Sequence, residues 1–496
     1  MESTSSSPPI ENLPYDTLLE IFMLYLDGQH FDIMQTSAKV PNPWVLSAVN
    51  RRWREFATGS PELWTMLELS STEIDDASDT RAIAIVNNSN EITSRTIGLF
   101  LERSQTAPLS IILGLQEGFI PQVAIDLVGA TATRWRELEV WQFEGILPIE
   151  DMLVPCTPLT DFNLPPIMPS LCRLAVYVEY QGDFDIEESI SQFALCPRLR
   201  DLTLELIEEP GGQMPQLLTC DPMNRKFPWS QLTKLKLRLR ADMDDTISLE
   251  LIGSCVNLEY LSIDECRNTQ PAPSQEIVLP SLRTLKLRAI GNASGIASRL
   301  RCPAVENLAV VLSGSVTEGF RALSSVFETS EHPLEFVSIR IRRAEYISDG
   351  DDLTDDAIAA MHIFFDALPS VKKLDLDYNN HILSECLDAM VNHPEDLKAP
   401  RMEHLVLRLL DDSLCSLCRS AEATHQILSL VEKYLSAPGS ALRVVDLIAG
   451  PKEQPALVAA DHASHLMQEF KRYNESGKLK VQWQAGVWDK DALRWR

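Results

Sequence analysis

Glycine is scarce in this chain of 496 residues, with 20 glycines against 30 prolines. So few glycines leave little room for the Gly-rich loops that cradle phosphates. Long apolar runs are lacking as well: no stretch reaches the roughly 18 consecutive apolar residues that a spanning helix needs. Positive charge is in short supply, because 44 Lys and Arg stand against 71 Asp and Glu, for a net charge of −27. That balance excludes a general nucleic-acid binder, which needs clustered cations to neutralise phosphates. It also argues against adhesion to an anionic membrane surface. Met1–Pro9 is rich in Ser and Pro and has no apolar core, so a secretory signal is not expected. The Asn-x-Ser sequons at Asn87, Asn292 and Asn474 are then expected to go unused. The 10 cysteines are dispersed along the chain, which reads as core usage in a reducing compartment, cytoplasmic or nuclear, rather than as a disulfide framework.

Motifs of bond chemistry are missing too. Gly-x-Ser-x-Gly, the P-loop and His-Glu-x-x-His do not occur, and His362, His381 and His404 follow no ligand spacing. Cys415-Ser416-Leu417-Cys418 has the spacing of a zinc or redox pair, but no second pair accompanies it, and it reads as core. Asp349-Gly350-Asp351-Asp352-Leu353-Thr354 starts like a calcium loop and fails where glycine is required, at Thr354. Thr354 is better placed as the cap of a helix beginning with Asp355 and Asp356. The expectation is a protein without metal, cofactor or enzymatic activity.

What is present begins at Ile10. In the run Leu13-Pro14-Tyr15-Asp16, Asp16 is expected to cap a helix in which Leu18, Ile21, Phe22 and Tyr25 form one apolar face. Leu19, Met23 and Leu26 form a second face, so this helix needs cover on both sides. A second helix over Trp44–Ala57 carries the stripe Leu46, Val49, Trp53 and Phe56, with Arg51, Arg52 and Arg54 between. Ser60-Pro61-Glu62-Leu63-Trp64 then opens a third, short helix. With Leu-Pro before the first helix and Arg-Trp-Arg in the second, residues 10–70 resemble the F-box, and Gly59–Trp64 resembles an extension common in fungal F-box proteins. Departures are the longer loop at 27–43 and Asn50, where a cysteine is common. The resemblance implies docking onto the Skp-family adaptor of a cullin–RING ubiquitin ligase. By carry-over, Leu13 and Pro14 with the exposed parts of Leu18, Ile21 and Phe22 would meet the adaptor, assisted by Val49 and Trp53. The competing reading is a plain helical cap on the rest of the molecule.

After a helical connector at 71–107, a phrase of the form Leu-x-x-Leu-x-Leu recurs, as in Leu171–Val176, Leu199–Leu204, Leu258–Ile263 and Leu282–Leu287. Its middle positions (138, 174, 202, 235, 261, 285, 308, 337, 374, 405 and 445) differ by 36, 28, 33, 26, 24, 23, 29, 37, 31 and 40 residues. The phrase reads as a short strand whose leucines point inwards, and helical stretches lie between copies, such as Ser189–Leu195, Thr246–Ile252, Asp355–Leu368, Ile382–Val391 and Ala421–Leu435. One strand and one helix cannot bury their apolar faces alone, but stacked neighbours share a core. Residues 108–496 therefore resemble an irregular leucine-rich-repeat solenoid, an α/β horseshoe with a parallel sheet on its concave face. Trp483 and Trp488 are expected in a final strand and cap.

The outward strand positions are the natural binding face of such an array. They place Lys236, Arg238, Lys286, Arg288 and Arg340 on one surface of an otherwise acidic protein. Two readings stand: a grip on an acidic or phosphorylated segment of a client, or a solvated face balanced by Asp264. Taken together, the sequence reads as the substrate receptor of an SCF-type ubiquitin ligase that captures a protein client, or else as a repeat scaffold unconnected with ubiquitination.

Overall fold

The computed structural model describes residues 13–26, 31–32, 42–70, 80–115, 120, 122–143, 168–180, 192–208, 227–239, 251–266, 276–290, 297, 299–313, 316–328, 334–342, 355–366, 368, 371–378, 390, 401–409, 421–437, 440–449 and 461–485. The chain folds as two compact units, Met1–Leu232 and Thr233–Arg496.

The first unit opens with three helices: α1 (Tyr15–Leu26), α2 (Pro43–Val49) and α3 (Arg51–Gly59). The Pro14 carbonyl accepts from the Leu18 amide at 3.0 Å, so α1 begins directly after Pro14. Asp16 sits inside the first turn instead of capping it, where its charge favours the helix dipole. The stretch expected as one helix over 44–57 is two. Asn50, extended at φ −155°, ends α2, and its Oδ1 accepts from the Trp53 amide at 2.8 Å to cap α3. An asparagine that satisfies a helix-start N–H costs the chain little to break there. Ser60 does not cap the short 3-10 turn Pro61–Trp64; its hydroxyl donates back to the Phe56 carbonyl at 2.9 Å. Phe22 packs on Trp53 and Phe56 at ring distances of 4.7 and 5.5 Å, which fixes α1 against α3.

Strands follow at once. β1 (Phe31–Asp32) pairs with β2 (Met66–Ser70), and β2 with β3 (Leu109–Leu115), all parallel. Parallel neighbours need a crossover, and α4 (Thr80–Ser104) lies between β2 and β3 in the chain, within the expected connector. The sheet thus starts before residue 108, inside the region read as the helical module, and part of the long loop at 27–43 is a strand. The sheet continues through β4 (Trp135–Phe143), β5 (Arg173–Tyr180) and β6 (Asp201–Glu208), with α5 (Gln122–Gly129) between β3 and β4 in the chain.

The second unit carries β7 (Lys234–Leu239), β8 (Tyr260–Cys266), β10 (Thr284–Ile290), β12 (Asn307–Ser313), β13 (Phe336–Arg342), β14 (Lys373–Tyr378), β15 (His404–Leu409), β16 (Val444–Ala449) and β17 (Lys480–Ala485), paired in that order and parallel throughout. β9 (Ile277–Val278) and β11 (Leu300–Arg301) make a separate small sheet. Helices α6 (Val316–Glu328), α7 (Asp355–Asp366), α8 (Ala421–Ser436) and α9 (Asp461–Glu475) lie between later strands in the chain. α6 and α7 meet through Phe320 and Phe364 at 5.1 Å.

The repeat phrase has a direct structural meaning. Every middle position falls in a strand, and those positions pair with one another. The row runs Leu67–Ile111–Leu138–Leu174–Leu202 in the first unit. In the second it runs Leu235–Leu261–Leu285–Leu308–Val337–Leu374–Leu405–Val445–Val481. All are buried except Val481. Three residues ahead of the leading leucine stands another buried apolar side chain, Cys196, Cys255 or Cys302 in three of the copies, closing a one-turn corner onto Leu199, Leu258 and Val305. In the middle of the array a carbonyl just before one strand then accepts two amides at the start of the next: Thr233 from Glu259 and Tyr260, Glu259 from Arg283 and Thr284, Arg283 from Glu306 and Asn307. The result is a repeating α/β architecture with a sequential parallel sheet. Among the expected helices, Ile382–Val391 lies almost wholly outside the described residues, as do Cys415–Cys418, the Asp349–Thr354 loop and Trp488.

Candidate functional site

Two surfaces carry the residues singled out by sequence. The first is on the N-terminal helices. Leu18 and Phe22 are 0% and 1% exposed, so neither has an exposed part to offer a partner; their face of α1 turns to α3 and forms the module's own core. This corrects the carry-over from the F-box resemblance. Ile21, by contrast, is exposed, and Val49, at the end of α2, is 55% exposed because the break at Asn50 takes it out of the stripe it was expected to share with Trp53. Trp53 is half-buried against Phe22, Pro14 is exposed, and Leu13 is half-buried with its carbonyl accepting from Arg52. Tyr25 and Met23, placed by periodicity on the two apolar faces of α1, are exposed, and so are Tyr15 and Leu24 on α1 and Val45 on α2, which periodicity did not single out, Leu24 at 68%.

The underside of the module is locked. Arg103, on α4, lies 4.3 Å from the Trp44 ring and 4.4 Å from Trp64, which itself packs edge-on to Trp44 and Phe100. Burial pushes the Arg103 guanidinium below its ordinary range, and the charge of Glu102 offsets part of that loss. The Trp64 indole donates to the Ala57 carbonyl at 2.6 Å.

The second surface is the outward face of β7, β8 and β10. Lys236, Ser262 and Lys286 stand in one row across these strands, and Arg238, Asp264 and Arg288 in the next. Asp264 takes both arginines: its Oδ2 lies 2.9 Å from Arg288 and 3.7 Å from Arg238. The five basic residues therefore do not act as one group. Arg340 pairs in register with Val311 and Asp377, two strands beyond Arg288. Lys286 has a different environment, with its ammonium 5.3 Å from the Tyr260 ring and Lys234 5.5 Å from the same ring. Burial first, then the charges of Lys236 and Lys234, push the Lys286 ammonium down to about 8. Lys234 escaped notice in the sequence because it precedes the alternating pair from which the outward face was read.

Further along the second unit the outward row is not a solvated face, since Ser338, Asp375, Val406 and Asp446 are buried there. His404 meets Asp446 at 2.8 Å within this region. In the first unit Trp141 and Tyr177 stack on adjacent strands at 3.9 Å, and the Trp141 indole donates to Glu139 at 2.7 Å. No cluster of metal-ligating side chains occurs among the described residues, and no helix among them is long and apolar enough to cross a membrane. Compared with family models and curated proteins, the chain matches none.

Proposed function

We propose that this chain is the substrate-receptor subunit of a cullin–RING ubiquitin ligase, with an F-box at residues 10–70 that docks on a Skp-family adaptor and a leucine-rich-repeat solenoid that holds a protein client. One observation carries the reading. Of the large apolar side chains exposed among the described residues, Tyr15, Ile21, Met23, Leu24, Tyr25, Val45 and Val49 all belong to α1 and α2, against only Val123, Val256, Val278 and Ile363 elsewhere. Apolar surface concentrated on two short helices is the mark of a protein-docking face. Leu13, Pro14, Ile21, Leu24 and Val49 are its contact residues, and Trp53 supports it from beneath. The chain performs no bond chemistry; it raises the effective concentration of a client lysine near the conjugating enzyme.

A scaffold in which the helices merely cap the sheet is the second reading, favoured by the packing of Trp44, Trp64 and Arg103 that ties them to α4. Pull-down of a Skp-family adaptor decides between the two. Capture by the whole chain, lost in Ile21→Asp with Leu24→Asp, supports the receptor; a chain that never captures the adaptor is a scaffold.

A further inference from the structure

The outward face of the first unit carries an aromatic pair that the repeat core does not use. The register sets Gly114, Trp141 and Tyr177 side by side on β3, β4 and β5. Trp141 and Tyr177 are half-buried, and their rings lie within 7° of parallel at 3.9 Å, so Tyr177 covers one face of the indole. The other face is turned towards β3, where the buried Gly114 supplies no side chain to stack on it. Two residues back along β4, on the same face, stands Glu139, whose Oε1 accepts from the Trp141 indole at 2.7 Å. An indole N–H is a neutral donor, so it orients this carboxylate without balancing its charge. Glu137, the outward carboxylate before it, has Arg173 at 3.5 Å; no cation lies at ion-pair distance from Glu139 among the described residues. We propose that Trp141 and Glu139 form a receptor site for an arginine side chain of the protein client, its guanidinium lying flat on the indole face turned from Tyr177 and donating to the Glu139 carboxylate.

The same unit already contains the complete arrangement elsewhere. Arg103 lies 4.3 Å from the Trp44 ring and 4.4 Å from Trp64, and the carboxylate of Glu102 supports its charge. On β4 the stacked aromatics and the carboxylate are present, and the cation is the part left for a partner to bring. Arginine fits better than lysine. A planar guanidinium stacks on an indole and meets a carboxylate with a fork of donors, whereas an ammonium is compact and strongly hydrated. The stack on Tyr177 and the bond to Glu139 hold the indole in place before anything binds, which lowers the ordering cost of the contact. A net charge of −27 favours approach of a basic segment over an acidic one. This inference rests on the array being the client-bearing part of the molecule, but it needs neither the adaptor nor a ligase.

The test uses the full chain with fluorescein-labelled hexa-arginine and hexalysine peptides, read by anisotropy at about 150 mM salt, where long-range attraction to an acidic surface is screened. Wild-type protein is expected to bind hexa-arginine about tenfold more tightly than hexalysine. Trp141→Leu should abolish that preference. Glu139→Gln keeps an acceptor for the indole N–H, so it leaves the ring in place, and should weaken hexa-arginine binding about tenfold. Equal binding of the two peptides by wild type, or undiminished hexa-arginine binding by Glu139→Gln, overturns the proposal. A preference that survives in Trp141→Leu overturns it too, because the arginine would then be read elsewhere. So does tighter binding of a trimethyllysine peptide than of hexa-arginine, which would make this a site for methylated ammonium. Circular dichroism checks the fold of each variant, and Glu139→Gln decides if Trp141→Leu is unfolded. Adaptor capture through α1 and α2 is unaffected by these outcomes, so a failure here and a failure of the receptor reading remain distinct.

Discussion

The guanidinium of Arg288 donates to the carboxylate of Asp264 at 2.9 Å from the adjacent strand, while Arg238 approaches the same oxygen from the opposite strand at 3.7 Å. One carboxylate thus holds two arginines in a partly buried row. Asp264→Asn removes the carboxylate charge that both cations share and should lower stability by about 2 kcal/mol. Urea unfolding checks this; a change within experimental error would mean that the pair is solvent-screened.

The N-terminal helices separate stability from docking. Phe22→Ala removes the ring between Trp53 and Phe56 and should cost about 3–5 kcal/mol. Leu24→Asp, on the exposed side of the same helix, should leave stability within about 0.5 kcal/mol while weakening adaptor capture. Paired melting curves and pull-downs read both effects.

Arg103 should not tolerate exchange for lysine. Its planar group stacks against two indoles, whereas an ammonium is a compact and strongly hydrated charge. Both Arg103→Lys and Arg103→Ala are expected to destabilise the first unit by about 1–2 kcal/mol. Quenching and shift of tryptophan fluorescence during denaturation, compared with wild type, report the loss.

Lys286 gives the protein a pH dependence of known sign. Its folded-state value is about 8 against 10.5 for an unperturbed lysine, so the folded state disfavours the charged form. The penalty is fully present below about pH 8. Between the two values the unfolded chain holds a proton that the folded chain has released, so stability rises with pH there. Lys286→Met should flatten this rise, measured as denaturant midpoints at about pH 7 and about pH 10.

The buried corner cysteines should be inert. Burial pushes the Cys196 thiol up to about 11 and those of Cys255 and Cys302 to about 12, so thiolate is negligible near neutrality. Iodoacetamide on native protein should modify Cys172, which is only half-buried, ahead of these three. Denaturation should equalise the rates, as peptide mass spectrometry will tell.

The inward rows were legible before any coordinates, because the Leu-x-Leu phrase encodes a strand of period two and its spacing encodes the stack. Position 138 and position 174 are 36 residues apart, yet they pair directly. The start of the sheet was not legible: Met66–Ser70 lacks the full phrase and follows helices, so only pairing with Leu109–Leu115 identifies it as a strand. Periodicity also assigns a side chain to a face without saying what covers that face. The resemblance gives Leu18 and Phe22 an exposed part, yet both are buried, Phe22 against Trp53 and Phe56 of α3. The basic row is half visible in the sequence: Lys236 and Lys286 stand out by charge, but their alignment on either side of Ser262 needs the register.

The carbonyl that accepts two amides at strand entrances from β8 to β16 fixes where those strands begin, whatever length of chain intervenes. Pulled from its C-terminal end, such a molecule would part at one strand boundary after another instead of yielding all at once. Each rupture would free the chain between successive pairing leucines, from 23 residues between Leu285 and Leu308 to 40 between Leu405 and Val445. At full extension those lengths are about 80 Å and about 140 Å. The force trace of a single molecule would spell out the order of its insertions as a ladder of unequal steps.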